Sequence, residues 1–371
     1  MRLLFCQPTL DRTGSEKSLL QAISGLRQPA DYDIHLLAGK NGPMAEEFTP
    51  WLEKLWVVDA PKLRRNPAIF WPYLRSYWTV YATIRKIRRQ AGASFAYVNT
   101  VVFPQAVLGA WLNNLTCIIH VHEVETTYPR IYYRFCIMLA ALLATRIICV
   151  CNYICNQRGL PFRRRFLAKS TVVPNSSSFQ TGPMRRPLTG TTRILSVIPV
   201  TERKGVLDLI SFAIELQRSG RPFTLRIIGQ IADRRLHSAL SKELQDTGLS
   251  TTVSFCGEVD DLTSEYKDAH IVVHPSHSEG HPRILVEAAN FSLPVVTTRA
   301  GGSPEIVADG ETGFVVAIGD YRAMAERVLQ LLEHPALYDR LSANAYRRYQ
   351  SEFTLLRFAS RIRAVIQEVQ G

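Results

Sequence analysis

At 371 residues, with 46% apolar and 20% charged side chains, the chain can build two globular domains, which excludes a disordered or fibrous protein. Lys and Arg outnumber Asp and Glu by 44 to 32, a net charge of +12. The excess lies wholly in the first half, because residues 1–180 carry 22 bases and 10 acids and the remainder carries 22 of each.

The opening, residues 1–8, lacks the length and cleavage pattern of a signal peptide. Short apolar runs at 3–6, 35–37, 55–58, 95–98, 117–121, 147–151 and 171–173 read as strands. Helix-length stretches separate most of them, so a largely parallel sheet is expected. After the first run comes Thr13-Gly14-Ser15-Glu16. Thr13 and Glu16 fit a capping box, and Gly14 would let the backbone approach a ligand. A structural cap and a ligand-lining loop are both open readings here.

Residues 62–89 hold eight bases, six aromatics and no acid. No acid occurs in 60–122 or in 126–201. Basic plus aromatic composition suits an anionic membrane surface, with a buried aromatic helix and a solvated basic face as the other reading. Arg163-Arg164-Arg165 adds a second basic cluster. The basic and aromatic composition of 62–89 would suit nucleic acid too, but no nucleic-acid motif accompanies it, so no such partner is expected. His120 and His122 fall at the end of a strand and share one face by alternation. The apolar run 135–144 breaks at Thr145-Arg146 and is too short to span a bilayer. Seven cysteines, an odd number in a long chain, point to a reducing compartment. Cys149, Cys151 and Cys155 read as small core residues rather than zinc ligands.

The stretch 175–192 is rich in Ser, Gly, Pro and Thr and reads as a linker. The expected division is 1–175, a linker 176–192, 193–350, and a terminal segment 351–371. In the second domain, strand runs at 194–198, 225–228, 253–256, 270–273, 295–297 and 314–316 repeat the plan. Two doubly wound domains would face each other across a cleft, with ligands at the carboxyl ends of the strands. Arg203-Lys204-Gly205 follows the first of these strands and opens a helix. Cations there can neutralise a departing diphosphate, although a solvated turn with two bases is the plainer alternative. Gly229-Gln230 and Gly257-Glu258-Val259 end strands of the same sheet.

The segment 274–316 is the most informative. Glu279 and Glu287 lie eight apart around Gly280-His281-Pro282-Arg283, and Pro294-Val295-Val296, Gly301-Gly302 and Pro304-Glu305 follow. Two loop-to-helix junctions of the phosphate-binding kind are expected, at 280–284 and 301–305. Pro282 suits the first position of a helix, which would aim the N–H groups of Arg283 and Ile284 at a diphosphate.

This ordered set resembles the donor-binding motif of the retaining family-four glycosyltransferases, the large GT-B group that uses nucleotide sugars. The resemblance implies an α/β GT-B fold of two Rossmann-like domains, with the terminal helix crossing back onto the first. It implies that Glu279 contacts the donor sugar and Glu287 the ribose hydroxyls. Gly14, Arg203, Lys204, Gly229, Val259, Gly280, Arg283 and Ile284 would line the donor, and His122 would hydrogen-bond the transferred sugar. The family also carries an arginine five residues before its lysine, where this chain has Pro199. No cofactor and no metal are implied, because no DxD-like acidic motif stands out. Partners would be a nucleotide-sugar donor, a lipid-linked or polysaccharide acceptor and an anionic membrane surface. The expected location is cytoplasmic, peripheral at the inner face of the membrane. The rival readings are a catalytically silent GT-B scaffold, favoured by Pro199, and a GT-B epimerase or phosphorylase.

Overall fold

The computed structural model describes residues 1–27, 32–61, 70–157, 159–179 and 181–369. The chain divides into two compact units, Met1–Ser176 with Leu355–Gly371, and Ser177–Thr354.

The first unit is built on β1 (Arg2–Gln7), β2 (Asp33–Ala38), β3 (Lys54–Val57), β4 (Phe95–Val98), β5 (Thr116–Val121), β6 (Arg146–Cys149) and β7 (Ser170–Val172). The order is β3-β2-β1-β4-β5-β6-β7, and the paired strands run parallel. Runs such as Leu3-Leu4-Phe5-Cys6 are apolar at successive positions because both faces of the sheet are covered. On one face Val80, Ile84, Phe103, Val107, Tyr133 and Ile137 form a core. On the other, Leu19 and Ile23 of helix Gly14–Leu26 meet Phe358, Ile362, Val365 and Ile366 of helix Leu355–Glu368. The two helices approach closely at Gly25, where an added Cβ would lie 2.5 Å from the Ala359 Cβ. The last helix is thus a structural part of the first unit.

The second unit holds β8 (Thr192–Val197), β9 (Phe223–Ile228), β10 (Val253–Gly257), β11 (Ile271–His274), β12 (Val295–Thr298) and β13 (Gly313–Val316). Its order is β10-β9-β8-β11-β12-β13, again parallel. In each unit the winding reverses beside the first strand, between β1 and β4 and between β8 and β11. Such reversals open a crevice at the carboxyl ends of the two strands. The Ser-, Gly- and Pro-rich stretch is no free tether. Asn290 donates to Ser177 Oγ (3.1 Å) and to the Phe179 carbonyl (2.7 Å), and Arg186 donates to the Phe291 carbonyl (2.8 Å), which fixes it to the second unit.

Candidate active site

In the second unit the loops leaving β8 and β11 run side by side from the winding reversal. Gly205 joins them. Its φ is +74°, and a Cβ there would sit 2.0 Å from the Pro275 carbonyl oxygen, so the backbones meet where only glycine fits. The His277 N–H donates to the Arg203 carbonyl (3.0 Å), and the Arg203 guanidinium donates to the Ser278 carbonyl (3.1 Å). This ladder carries Lys204 to Glu279.

Glu279 is buried and accepts from Lys204 Nζ at 2.6 Å and from His274 Nε2 at 2.9 Å. A carboxylate can only accept, so His274 carries its proton on Nε2. Burial alone would raise the Glu279 pKa. The Lys204 charge and the His274 hydrogen bond outweigh it and hold the carboxyl well below the usual range. Both donors converge on Oε1.

Glu287 lies on helix Arg283–Asn290, which starts directly after Pro282. Its Oε2 accepts from the buried Tyr266 hydroxyl at 2.9 Å, and its Oε1 lies 3.7 Å from the Arg283 guanidinium. Burial raises the Tyr266 pKa, which keeps that hydroxyl a donor. Arg283 and Ile284 occupy the first turn of the helix, where N–H groups have no intrahelical acceptor. The second expected junction, at 301–305, is built differently. Its helix, Ser303–Ile306, is a single turn, the Gly302 N–H donates to the Gly280 carbonyl (2.9 Å), and a Cβ on Gly301 would lie 1.7 Å from the Glu279 carbonyl oxygen. Both glycines thus shape the Glu279 loop, and the Gly302 N–H is engaged within it. Gly229, at φ +149°, presses on the Ile198 carbonyl as β9 ends, and Val259 packs half-buried beside the same sheet. Pro199 lies in the loop after β8, in the backbone that Gly229 approaches.

In the first unit the carboxyl ends of β1, β4 and β5 bring together Gln7, Asn99 and His122. His122 Nε2 lies 3.1 Å from Asn99 Oδ1. His120 is fully buried beneath it, with ring centroids 4.0 Å apart, and burial followed by the His122 charge lowers its pKa. Glu123 turns back to accept from the Thr100 hydroxyl and from the Val101 and His122 N–H groups. Gly14 is the first residue of its helix, and Thr13 stands at the cap. The expected capping box is absent. The Thr13 hydroxyl donates to the Glu16 carboxylate, as do Thr9 (3.0 Å) and Ser15 (2.8 Å), because Glu16 is fully buried and needs every donor within reach.

Helix Phe70–Ala91 buries Tyr73, Val80, Ile84 and Ile87. Trp71 and Trp78 are 74% and 71% exposed on the other side, together with Arg75, Arg85, Lys86 and Arg89. Lys62, Arg64 and Arg65, part of the same basic stretch, lie outside the described residues. Among the described residues no helix is long and apolar enough to cross a membrane, and no cluster of His, Cys, Asp and Glu could hold a metal ion. Cys149, Cys151 and Cys155 are buried.

Residues 186–348 match the family described as glycosyl transferases group 1. Similar curated proteins include two bacterial glycosyltransferases. The capsular polysaccharide biosynthesis glycosyltransferase CapM of Staphylococcus aureus is 30% identical over 156 residues, 42% of this chain and 40% of that one. The lipopolysaccharide core biosynthesis mannosyltransferase LpcC of Rhizobium leguminosarum bv. viciae is 32% identical over 174 residues, 46% and 49% of the two chains. The match thus spans under half the length of these relatives. Among solved structures, Anabaena Alr3699/HepE in complex with UDP-glucose superposes with a TM-score of 0.82 at 17% identity, covering 99% of this chain and 100% of that one. WaaG, a glycosyltransferase involved in lipopolysaccharide biosynthesis, gives 0.70 at 15% identity over 98% and 99%. Both likenesses speak to the fold. The chain has the GT-B fold of two Rossmann-like units, and its segment 186–348 is similar to the group 1 glycosyl transferases.

Proposed function

We propose that the protein is a retaining glycosyltransferase that moves a sugar from a nucleotide-diphosphate sugar to a lipid-linked or polysaccharide acceptor at an anionic membrane surface. The observation that carries this reading is the Lys204–Glu279–His274 cluster at the winding reversal of the second unit. An ionised carboxylate with one oxygen held by two donors offers its other oxygen, Oε2, to sugar hydroxyls. Lys204 and Arg203 stand where charge builds on a departing diphosphate, and the first turn of helix Arg283–Asn290 adds backbone N–H groups. Glu287, set by Tyr266, accepts from ribose hydroxyls. No metal enters this scheme, and retention proceeds by front-face displacement in which the leaving phosphate oxygen helps to deprotonate the acceptor. His122 hydrogen-bonds the transferred sugar, in keeping with its place at the end of β5. The UDP and UDP-glucose bound to HepE favour a uridine donor. The polysaccharide and lipopolysaccharide roles named for CapM and LpcC favour a related acceptor. The exposed tryptophans and bases of helix Phe70–Ala91 favour work at an anionic surface.

The test is slow hydrolysis of a panel of UDP-, GDP- and ADP-sugars by the wild type and by Glu279→Gln. Nucleotide released from one donor and lost in the variant is the expected result. No release and no nucleotide binding by calorimetry would sink the transferase reading and leave the silent scaffold that Pro199 favours.

A further inference from the structure

Helix Pro104–Leu112 packs beside helix Phe70–Ala91 in the first unit. The two touch at Gly109, where an added Cβ would lie 2.9 Å from Ile84 Cδ1. Outward of that contact a groove of about 480 Å³ opens between them. Leu74, Tyr77, Trp78 and Tyr81 wall one side, and Leu108 and Leu112 the other. Gln105 and Tyr77, polar residues of the lining, are engaged inside the fold. Gln105 donates to Ser76 Oγ at 3.1 Å, and the Tyr77 and Tyr73 hydroxyls lie 3.1 Å apart. Hydrocarbon and ring faces are left to meet solvent: Leu74 is 42% exposed and Leu112 49%. Apolar groups held open to water on both walls of one groove mark a binding surface.

Charge sets what kind of apolar ligand fits. Helix Phe70–Ala91 carries five bases, Arg75, Arg85, Lys86, Arg88 and Arg89, and neither helix carries an acid. Arg85 lies one turn beyond Tyr81 on the helix. Arg88 donates to the carbonyl of Asn113, the residue after Leu112, at 2.6 Å. Both arginines are exposed at that end of the groove. We propose that the groove takes one hydrocarbon chain of an anionic membrane lipid, with the chain between the two helices and the headgroup against Arg85 and Arg88. The wall from Leu74 to Tyr81 runs about 10 Å along the helix, the reach of a short alkyl segment. An apolar peptide would bring N–H and C=O groups that burial against such side chains leaves unpaired, whereas a lipid tail has none. The proposal rests on the anionic-surface part of the function given above and asks more of it. A chain is withdrawn from the bilayer into the protein, not merely touched at the surface. The sugar chemistry does not enter.

The test titrates the full chain by calorimetry with decyl phosphate, kept below its micelle-forming concentration, and with butyl phosphate and decyl maltoside. Decyl phosphate should bind at one site per chain, at least ~100-fold tighter than butyl phosphate, which has the charge without the chain. It should bind ~10-fold tighter than decyl maltoside, which has the chain without the charge. Leu108→Trp, which fills the groove, should weaken decyl phosphate by ~10-fold or more. Leu74→Glu, on the opposite wall, should do the same and decides the matter should the first variant not fold. Equal binding of butyl phosphate would reduce the site to surface charge, and equal binding of decyl maltoside would remove the arginines from it. Wild-type affinity in the folded groove variants would put the chain elsewhere. Each of these results overturns the proposal. Should phosphatidylcholine vesicles containing phosphatidylglycerol bind while decyl phosphate does not, surface attachment stands and the groove falls. A wild type that sediments as a dimer, with Leu108→Trp a monomer, would make the groove a contact between copies and overturns the proposal too.

Discussion

Glu279 shows how a single side chain is set by its neighbours. Removing its charge should register in stability as well as in chemistry. Glu279→Gln leaves Lys204 without its counter-ion, and we expect a loss of about 2 kcal/mol at pH 7. The folded pKa lies below the ordinary value of 4.5, so the stabilisation is fully present above that pH and fades as pH falls toward the folded value. Denaturant midpoints of the two proteins should therefore stay a constant distance apart from pH 8 to 5 and converge below. Convergence beginning near pH 7 would show that the carboxylate is not held ionised. Lys204→Ala should lower turnover by at least ~10-fold if the ammonium steadies the leaving group. Unchanged turnover removes it from the mechanism. The two glutamates could be read from sequence because their partners lie in one segment with a recognisable order. His274, Tyr266 and Asn99 could not. His274 closes an apolar strand and looks like core, Tyr266 reaches Glu287 from another helix, and Asn99 meets His122 only through the pairing of β4 with β5. Thr13 and Glu16 misled for a related reason: their spacing fits a cap, but burial of the carboxylate redirects the hydroxyl.

At the level of elements, the loops matter more than the helices they start. Gly205 and Gly301 are each pressed against a carbonyl of the β11 loop. Gly205→Ala adds both left-handed strain and a clash with Pro275, so it should cost roughly 1–3 kcal/mol or more and shift the Glu279 loop. A thermal midpoint equal to wild type would contradict that packing. The strands were legible because both-face burial writes continuous apolar runs, and each expected run has a counterpart in the structure within a few residues. The stretch before β8 was less so, since Ser, Gly and Pro describe a flexible tether by composition while Asn290 and Arg186 pin it by hydrogen bonds from distant sequence.

Over the whole molecule, the uneven charge found in the sequence acquires a place. The acid-poor first unit carries Trp71 and Trp78 on a helix face that also shows Arg75, Arg85 and Arg89. Cosedimentation with phosphatidylcholine vesicles containing phosphatidylglycerol should weaken by about 10-fold or more in Arg85→Glu/Arg89→Glu, and also in Trp71→Ala/Trp78→Ala. Equal binding by both pairs would place the membrane contact elsewhere or nowhere. The ownership of helix Leu355–Glu368 bears on how the protein is made. Phe358, Ile362, Val365 and Ile366 complete the core of the first unit, yet the ribosome must first translate residues 177–354, roughly 10–40 s of synthesis at bacterial-like speeds. Throughout that interval the nascent first unit shows water the groove lined by Leu19 and Ile23 that helix Leu355–Glu368 will later close, a period in which chaperones have something to hold. The earliest-made half of this protein is the last to finish folding.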